Sequence, residues 1–128
     1  MVPDPVILAS SLCGFLSQRL VRTLCPSCRA PADLDAGFLE QLRSFCPNPI
    51  CHRPVGCESC QGTGFPGRVL VSEFVPTSPP LRQMMINRQN YHEFHHFARK
   101  EGIPTLEEQT LSLVASGEAA YDDFLRLF

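Results

Sequence analysis

Six of the seven cysteines in this 128-residue sequence lie between positions 25 and 60. Four of them form two matching pairs, Cys25-Pro-Ser-Cys28 and Cys57-Glu-Ser-Cys60. A C-x-x-C turn brings two sulfurs near one point. Two such turns offer four soft thiolates to a tetrahedral ion, a role zinc accepts without redox chemistry. A closed four-thiolate site has no open position for water, so its task would be structural. The 28 intervening residues exceed the roughly 15–20 of a compact ribbon, which calls for an inserted lobe between the pairs. Two other uses are open to these thiols: buried or reactive cysteines without a ligand, and a redox C-x-x-C. The redox use requires a βαβ setting that the sequence does not show.

The remaining cysteines are weaker candidates. Cys46-Pro-Asn-Pro-Ile-Cys51, with His52 beside it, has a spacer that could hold metal but offers only three ligands. These residues are expected to be spare, and Cys13 to be a small core residue on the first helix.

Two further motifs carry chemistry on paper. His92-Glu93-Phe94-His95-His96 satisfies H-E-x-x-H, which on a helix sets two imidazoles on one face with a general base beside them. A metalloprotease also needs a third protein ligand and a cleft, which the short helical segments after the motif scarcely provide. The segment is better read as a generic amphipathic helix with Tyr91, Phe94 and Phe97 or Ala98 on its buried side. The second motif, Gly62-Thr63-Gly64-Phe65-Pro66-Gly67-Arg68, combines tight-turn glycines with a planar, permanently charged donor fork suited to phosphate. It is not a P-loop, because G-x-x-x-x-G-K-[ST] occurs nowhere and the sole lysine is Lys100.

The elements that must position these residues follow from composition and pattern. Hydrophobic content of 44% with 19% charged residues is that of a globular chain, and 128 residues suffice for one modest core. A formal net charge of −2 argues against nucleic acid as a partner. No run approaches the roughly 20 apolar residues that cross a bilayer. The short run Val6–Ala9 lacks the positive flank of a signal peptide. A cytoplasmic setting is therefore expected, in which cysteines favour metal over disulfides.

Nine of the 12 prolines fall from Pro26 to Pro80, so loops and short elements should lie between two helical ends. Leu8, Leu12, Phe15, Leu16, Leu20 and Leu24 recur at three- and four-residue steps, which predicts one helix from Val6 to Leu24. A short helix is expected over 36–45. Alternating residues predict a mostly buried strand over 68–75. Helices are expected over 80–87, 91–101, 106–116 and 119–127, with C-caps at Gly102 and Gly117 and a Thr105/Glu108 capping box.

Taken in order, these residues resemble one family: the C-terminal end of type II secretion and type IV pilus assembly ATPases. The resemblance is carried by Leu8-Ala-Ser-Ser-Leu12, Gln18-Arg-Leu-Val-Arg22, Leu24-Cys-Pro-Ser-Cys28 and Gly56-Cys-Glu-Ser-Cys60. Thr63-Gly-Phe-Pro-Gly-Arg68, Glu73, Ala98-Arg-Lys-Glu-Gly102, Leu106 and Asp122-Asp-Phe-Leu125 continue it. It implies a mostly α fold with a zinc-stapled, loop-rich knob and a short β element, forming the C-terminal piece of a RecA-like α/β ATPase. The expected divisions are 1–24, a helix of the ATPase C-terminal domain; 25–61, the tetracysteine knob; 62–76, the Gly-Arg loop and strand; and 77–128, a helical subdomain.

The resemblance further implies structural zinc on Cys25, Cys28, Cys57 and Cys60, and Arg68 near nucleotide phosphates in an assembled hexameric ring. ATP and Mg2+ would bind only in the full-length protein. The partners would be other copies in the ring and inner-membrane platform proteins, with a cytoplasmic location peripheral to that membrane. The family's Walker A loop, acidic metal-binding residues and histidine box lie upstream of the matched region, so no catalysis is expected of this chain alone. It would be an excised or truncated piece of such an ATPase. A stand-alone zinc-binding adaptor of the same shape is the alternative, and an H-E-x-x-H metalloprotein a remote one.

Overall fold

The computed structural model describes residues 4–128. It contains six α-helices, α1 (Pro5–Ser11), α2 (Ala36–Arg43), α3 (Pro79–Ile86), α4 (Tyr91–Lys100), α5 (Leu106–Ala115) and α6 (Tyr121–Leu127). There are four strands, β1 (Gly14–Thr23), β2 (Ala30–Pro31), β3 (His52–Arg53) and β4 (Gly67–Pro76), and one 3-10 turn at Glu58–Cys60. The fold is thus mixed helix and strand rather than mostly α. β1 pairs with β4, and β2 pairs antiparallel with β3 through Ala30–Arg53 and Pro31–His52. The chain forms two compact units, 4–17 with 72–105, and 18–71 with 106–128.

The largest correction concerns the single helix expected from Val6 to Leu24, whose first expected division also includes residues 1–3, outside the described residues. Helix α1 ends at Ser11, where the Ser10 and Ser11 hydroxyls both donate to the Ile7 carbonyl, at 2.9 and 2.7 Å. Such local bonds compete with the helical ladder. From Gly14 the chain is a strand instead. Gly14, Ser17, Val21 and Thr23 are weak helix formers, and pairing with β4 satisfies the backbone that a helix would have satisfied internally. The three- and four-residue spacing of the leucines did not decide the element: Leu16 and Leu20 lie exposed on the strand, and Val21 is its one fully buried residue. Cys13, placed on that expected helix as a core residue, lies exposed in the link between α1 and β1.

The strand expected over 68–75 forms, but of its residues only Val71 is fully buried, while Leu70 and Phe74 remain exposed. A two-stranded sheet covers little of either face. The short helix near 36–45 and the four later helices appear as expected. In the first unit, Leu81, Met85, Ala98 and Ala9 are buried, and Arg82 donates to the terminal carbonyls of α1 at Ala9 and Leu12. Tyr91, expected on the inner side of α4, is 73% exposed, and it is Ala98 that is buried.

The second unit holds the main core: Val21, Val71, Phe38, Leu42, Cys51, Leu106, Leu111, Val114 and Phe124. Phe38 stacks at a tilt on Tyr121, with ring centroids 4.1 Å apart. Core contributions from Phe38, Leu42 and Cys51 show how the lobe between the cysteine pairs is anchored. It is built of β2, α2 and β3.

Both expected glycine caps occur, with φ of 73° at Gly102 and at Gly117. They differ in surroundings. A Cβ at Gly102 would meet nothing within 4 Å, whereas one at Gly117 would collide with the His52 ring and the Ile50 carbonyl. Gly102→Ala should therefore cost only the left-handed penalty, about 1 kcal/mol. Gly117→Ala should cost at least about twice that, because rigid backbone must also shift. Urea unfolding of the two variants checks the order.

Candidate metal centre

Each C-x-x-C pair is bent into a tight turn by backbone bonds. Arg29 N–H donates to the Cys25 carbonyl at 2.9 Å, and Gly62 N–H to that of Cys57 at 2.8 Å. Past the second pair the chain must reverse within a few residues, and Gln61, Gly62 and Gly64 all have positive φ. At Gly56 a side chain would collide with the Gly62 backbone, so the two ends of the second turn close on each other only because position 56 carries no Cβ. Cys25 N–H, donating to the Gly64 carbonyl at 2.9 Å, ties the first turn to the loop that follows the second.

These turns bring the four sulfurs of Cys25, Cys28, Cys57 and Cys60 within 4.8 Å of one another. Cys57 and Cys60 stand 3.7 Å apart, Cys28 and Cys60 3.8 Å, and Cys25 and Cys57 3.9 Å. In a tetrahedron with sulfur about 2.3 Å from its centre, the sulfurs stand about 3.8 Å apart, so the set fits a four-coordinate thiophilic ion. Backbone amides aim at the same sulfurs. Gly56 N–H donates to Cys28 Sγ at 3.3 Å, and Cys57 and Gly64 N–H both donate to Cys60 Sγ at 3.2 Å.

The amides divide the thiols electrostatically. Burial alone would raise Cys60, but the Cys57 and Gly64 amides and the neighbouring thiols Cys57 and Cys28 outweigh it and pull its pKa down to about 6. Cys28 is pushed up to about 11, by desolvation first and by the adjoining thiols, against the lowering effect of the Gly56 amide. The shared hydrogen bonds thus favour the thiolate at Cys60, while burial and the adjoining thiols favour the protonated form at Cys28.

The other candidates lie outside this group. Cys51 is buried in the core, where burial and the neighbouring Cys46 raise its pKa. His52 Nδ1 lies 3.1 Å from the Ile50 carbonyl oxygen. Arg68 is exposed at the start of β4. In the H-E-x-x-H segment, Glu93 caps α4: its Oε2 accepts from Asn90 N–H at 3.1 Å, and Asn90 Oδ1 accepts from Glu93 N–H at 3.2 Å. The four cysteines are the one group of three or more metal-ligating His, Cys, Asp or Glu residues among the described residues.

The sequence reading missed a supporting ion pair. Asp123 is fully buried, and its Oδ2 accepts from Arg22 N–H at 2.8 Å while Oδ1 accepts from Arg22 Nε at 2.7 Å. The same guanidinium lies 4.0 Å from the ring centroid of Phe65, in the loop that follows Cys60. Local signals cannot reveal a partnership across 101 positions.

A family model described as type II/IV secretion system protein matches residues 1–126, and the chain belongs to that family. It is similar to the type IV pilus assembly ATPase TfpB of Acinetobacter baylyi, 32% identical over 97% of this chain and 22% of that protein. It is also similar to the type II secretion system protein E of Aeromonas hydrophila, 33% identical over 97% of this chain and 25% of the relative. For the type IV pilus assembly ATPase PilB of Thermus thermophilus the identity is 29%, over 95% of this chain and 14% of the relative. The chain thus spans a quarter or less of the length of these relatives. No helix among the described residues is long and apolar enough to cross a membrane.

Burial raises the pKa of Asp123, but the Arg22 side chain, its amide and its charge, with Arg126, outweigh this and hold the carboxyl below its ordinary value of 3.8. The pair's contribution is therefore complete above that value and is lost as the pH falls through the lower, folded one. Asp123→Ala should cost about 3 kcal/mol near neutrality, at the low end for a buried pair because Arg22 is partly exposed. The gap to the wild type should close on acidification, as measured by urea unfolding at several pH values.

Proposed function

We propose that this chain is the zinc-holding C-terminal portion of an ATPase that powers type II secretion or type IV pilus assembly. The observation that carries this reading is the convergence of four cysteine sulfurs within 4.8 Å on a chain that belongs to the secretion family. Cys25, Cys28, Cys57 and Cys60 would hold the ion. Bound there, zinc would supply neutralising charge and four cross-links to a loop-rich region, without an open coordination position for catalysis. The amides of Gly56, Cys57 and Gly64 orient the sulfurs and share their charge.

In this reading ATP and Mg2+ bind in the full-length protein, which works as a hexameric ring against inner-membrane platform proteins at the cytoplasmic face. Arg68 faces nucleotide phosphates across the ring. Its exposed position and its planar donor fork support that role. The divisions 25–61, 62–76 and 77–128 serve as metal knob, nucleotide-facing loop with strand, and packing helices.

Metal analysis after dialysis against a moderate chelator should find a single zinc per chain. Cys25→Ser should lose it, together with much of the folding stability, and His92→Ala should retain it; the reverse pattern overturns the assignment. No ATP turnover is expected from these 128 residues alone, since they contain no Walker A sequence. Hydrolysis by the purified chain in a phosphate-release assay would refute its role as a non-catalytic portion.

A further inference from the structure

The H-E-x-x-H segment has no part in the function proposed above, and its surroundings suit a different chemistry from proteolysis. Helix α4 carries His92 and His96 four residues apart, so both imidazoles leave the same face about one turn from each other. Both are exposed, and both line a single open hollow of about 550 Å³ in the first unit. His95 lies outside that wall and is half-buried, with its ring centroid 5.9 Å from that of Tyr91. Among the described hydrogen bonds and ion pairs, none engages the ring nitrogens of His92 or His96.

Glu93 decides which chemistry is left. A metalloprotease would use it as general base, but here its carboxylate caps the helix through Asn90. No third His, Cys, Asp or Glu ligand atom gathers with the two imidazoles among the described residues, and they keep the spacing that chelates an ion. From this geometry we infer that His92 and His96 form a second, surface metal site. It takes a divalent late first-row transition ion with two imidazole ligands and water in the remaining positions.

The site differs in kind from the tetracysteine cluster. It is open rather than closed, and its ligands are borderline imidazoles rather than soft thiolates. Lys100 in the wall of the hollow and the positive end of α4 both oppose a cation. Binding there is consequently exchangeable, and a chelator that leaves zinc on four cysteines strips it. Bridging one turn of α4 would also resist its fraying. The inference stands whether or not the cysteines hold zinc, because it uses none of the same residues.

The full chain, free of any affinity tag and loaded beforehand with one equivalent of Zn2+ so that the four thiols do not compete, would be titrated with Ni2+ by calorimetry. One class of sites with a single equivalent of Ni2+ is expected. His92→Ala and His96→Ala should each weaken it by about tenfold or more. His95→Ala and Cys13→Ser should leave it unchanged. Saturating Ni2+ should raise the thermal unfolding midpoint of the wild type but not of His96→Ala. Binding that survives both His92→Ala and His96→Ala, or that weakens equally in His95→Ala or Cys13→Ser, overturns the proposal. Circular dichroism of the exposed-residue variants verifies that each is folded.

Discussion

A carboxylate shut away from water, as Asp123 is, can remain ionised only if its charge and its lone pairs are answered locally. Arg22 does both, through its backbone amide and through its guanidinium. The pair joins the end of β1 to the C-terminal helix α6, 101 positions along the chain. Because the same guanidinium lies over Phe65, it also braces the glycine loop that follows Cys60. Strand, terminal helix and cysteine loop thus meet at one charge, and the second unit's core closes around it.

The cysteine cluster rests on that frame but obeys its own constraint. Four thiolates within 4.8 Å of one another repel strongly unless positive charge or donors answer them. Amides from Gly56, Cys57 and Gly64 relieve part of that repulsion. Closure of the second turn depends on glycine at position 56, where a side chain would strike the Gly62 backbone. The lobe between the pairs does more than span a gap. Phe38, Leu42 and Cys51 belong to the main core, which explains why Cys51 is buried there as an apolar residue and stands apart from the four-cysteine group.

The sequence showed the site more fully than the fold. Spacing alone paired Cys25-x-x-Cys28 with Cys57-x-x-Cys60, because a C-x-x-C turn is a local geometry that neighbouring residues enforce. The proline distribution marked the loop-rich middle, and glycines at 102 and 117 marked helix ends, since each of these preferences acts within a few residues. The stretch from Val6 to Leu24 was not legible in the same way. Its leucines keep a helical spacing, and pairing with β4 overrode it from Gly14 onward.

What this sequence determined by itself, then, was everything whose cause is near in the chain: the C-x-x-C turns, the caps, the later helices and the family-specific order of motifs. Tertiary structure decided the rest. It turned most of a seeming helix into β1, left Cys13 and Tyr91 exposed, gave Glu93 a capping role, and matched Asp123 with Arg22. The physical reason is common to these cases. Burial, strand pairing and buried charge compensation depend on atoms that approach one another only after the chain has folded, and local pattern carries no record of the partner.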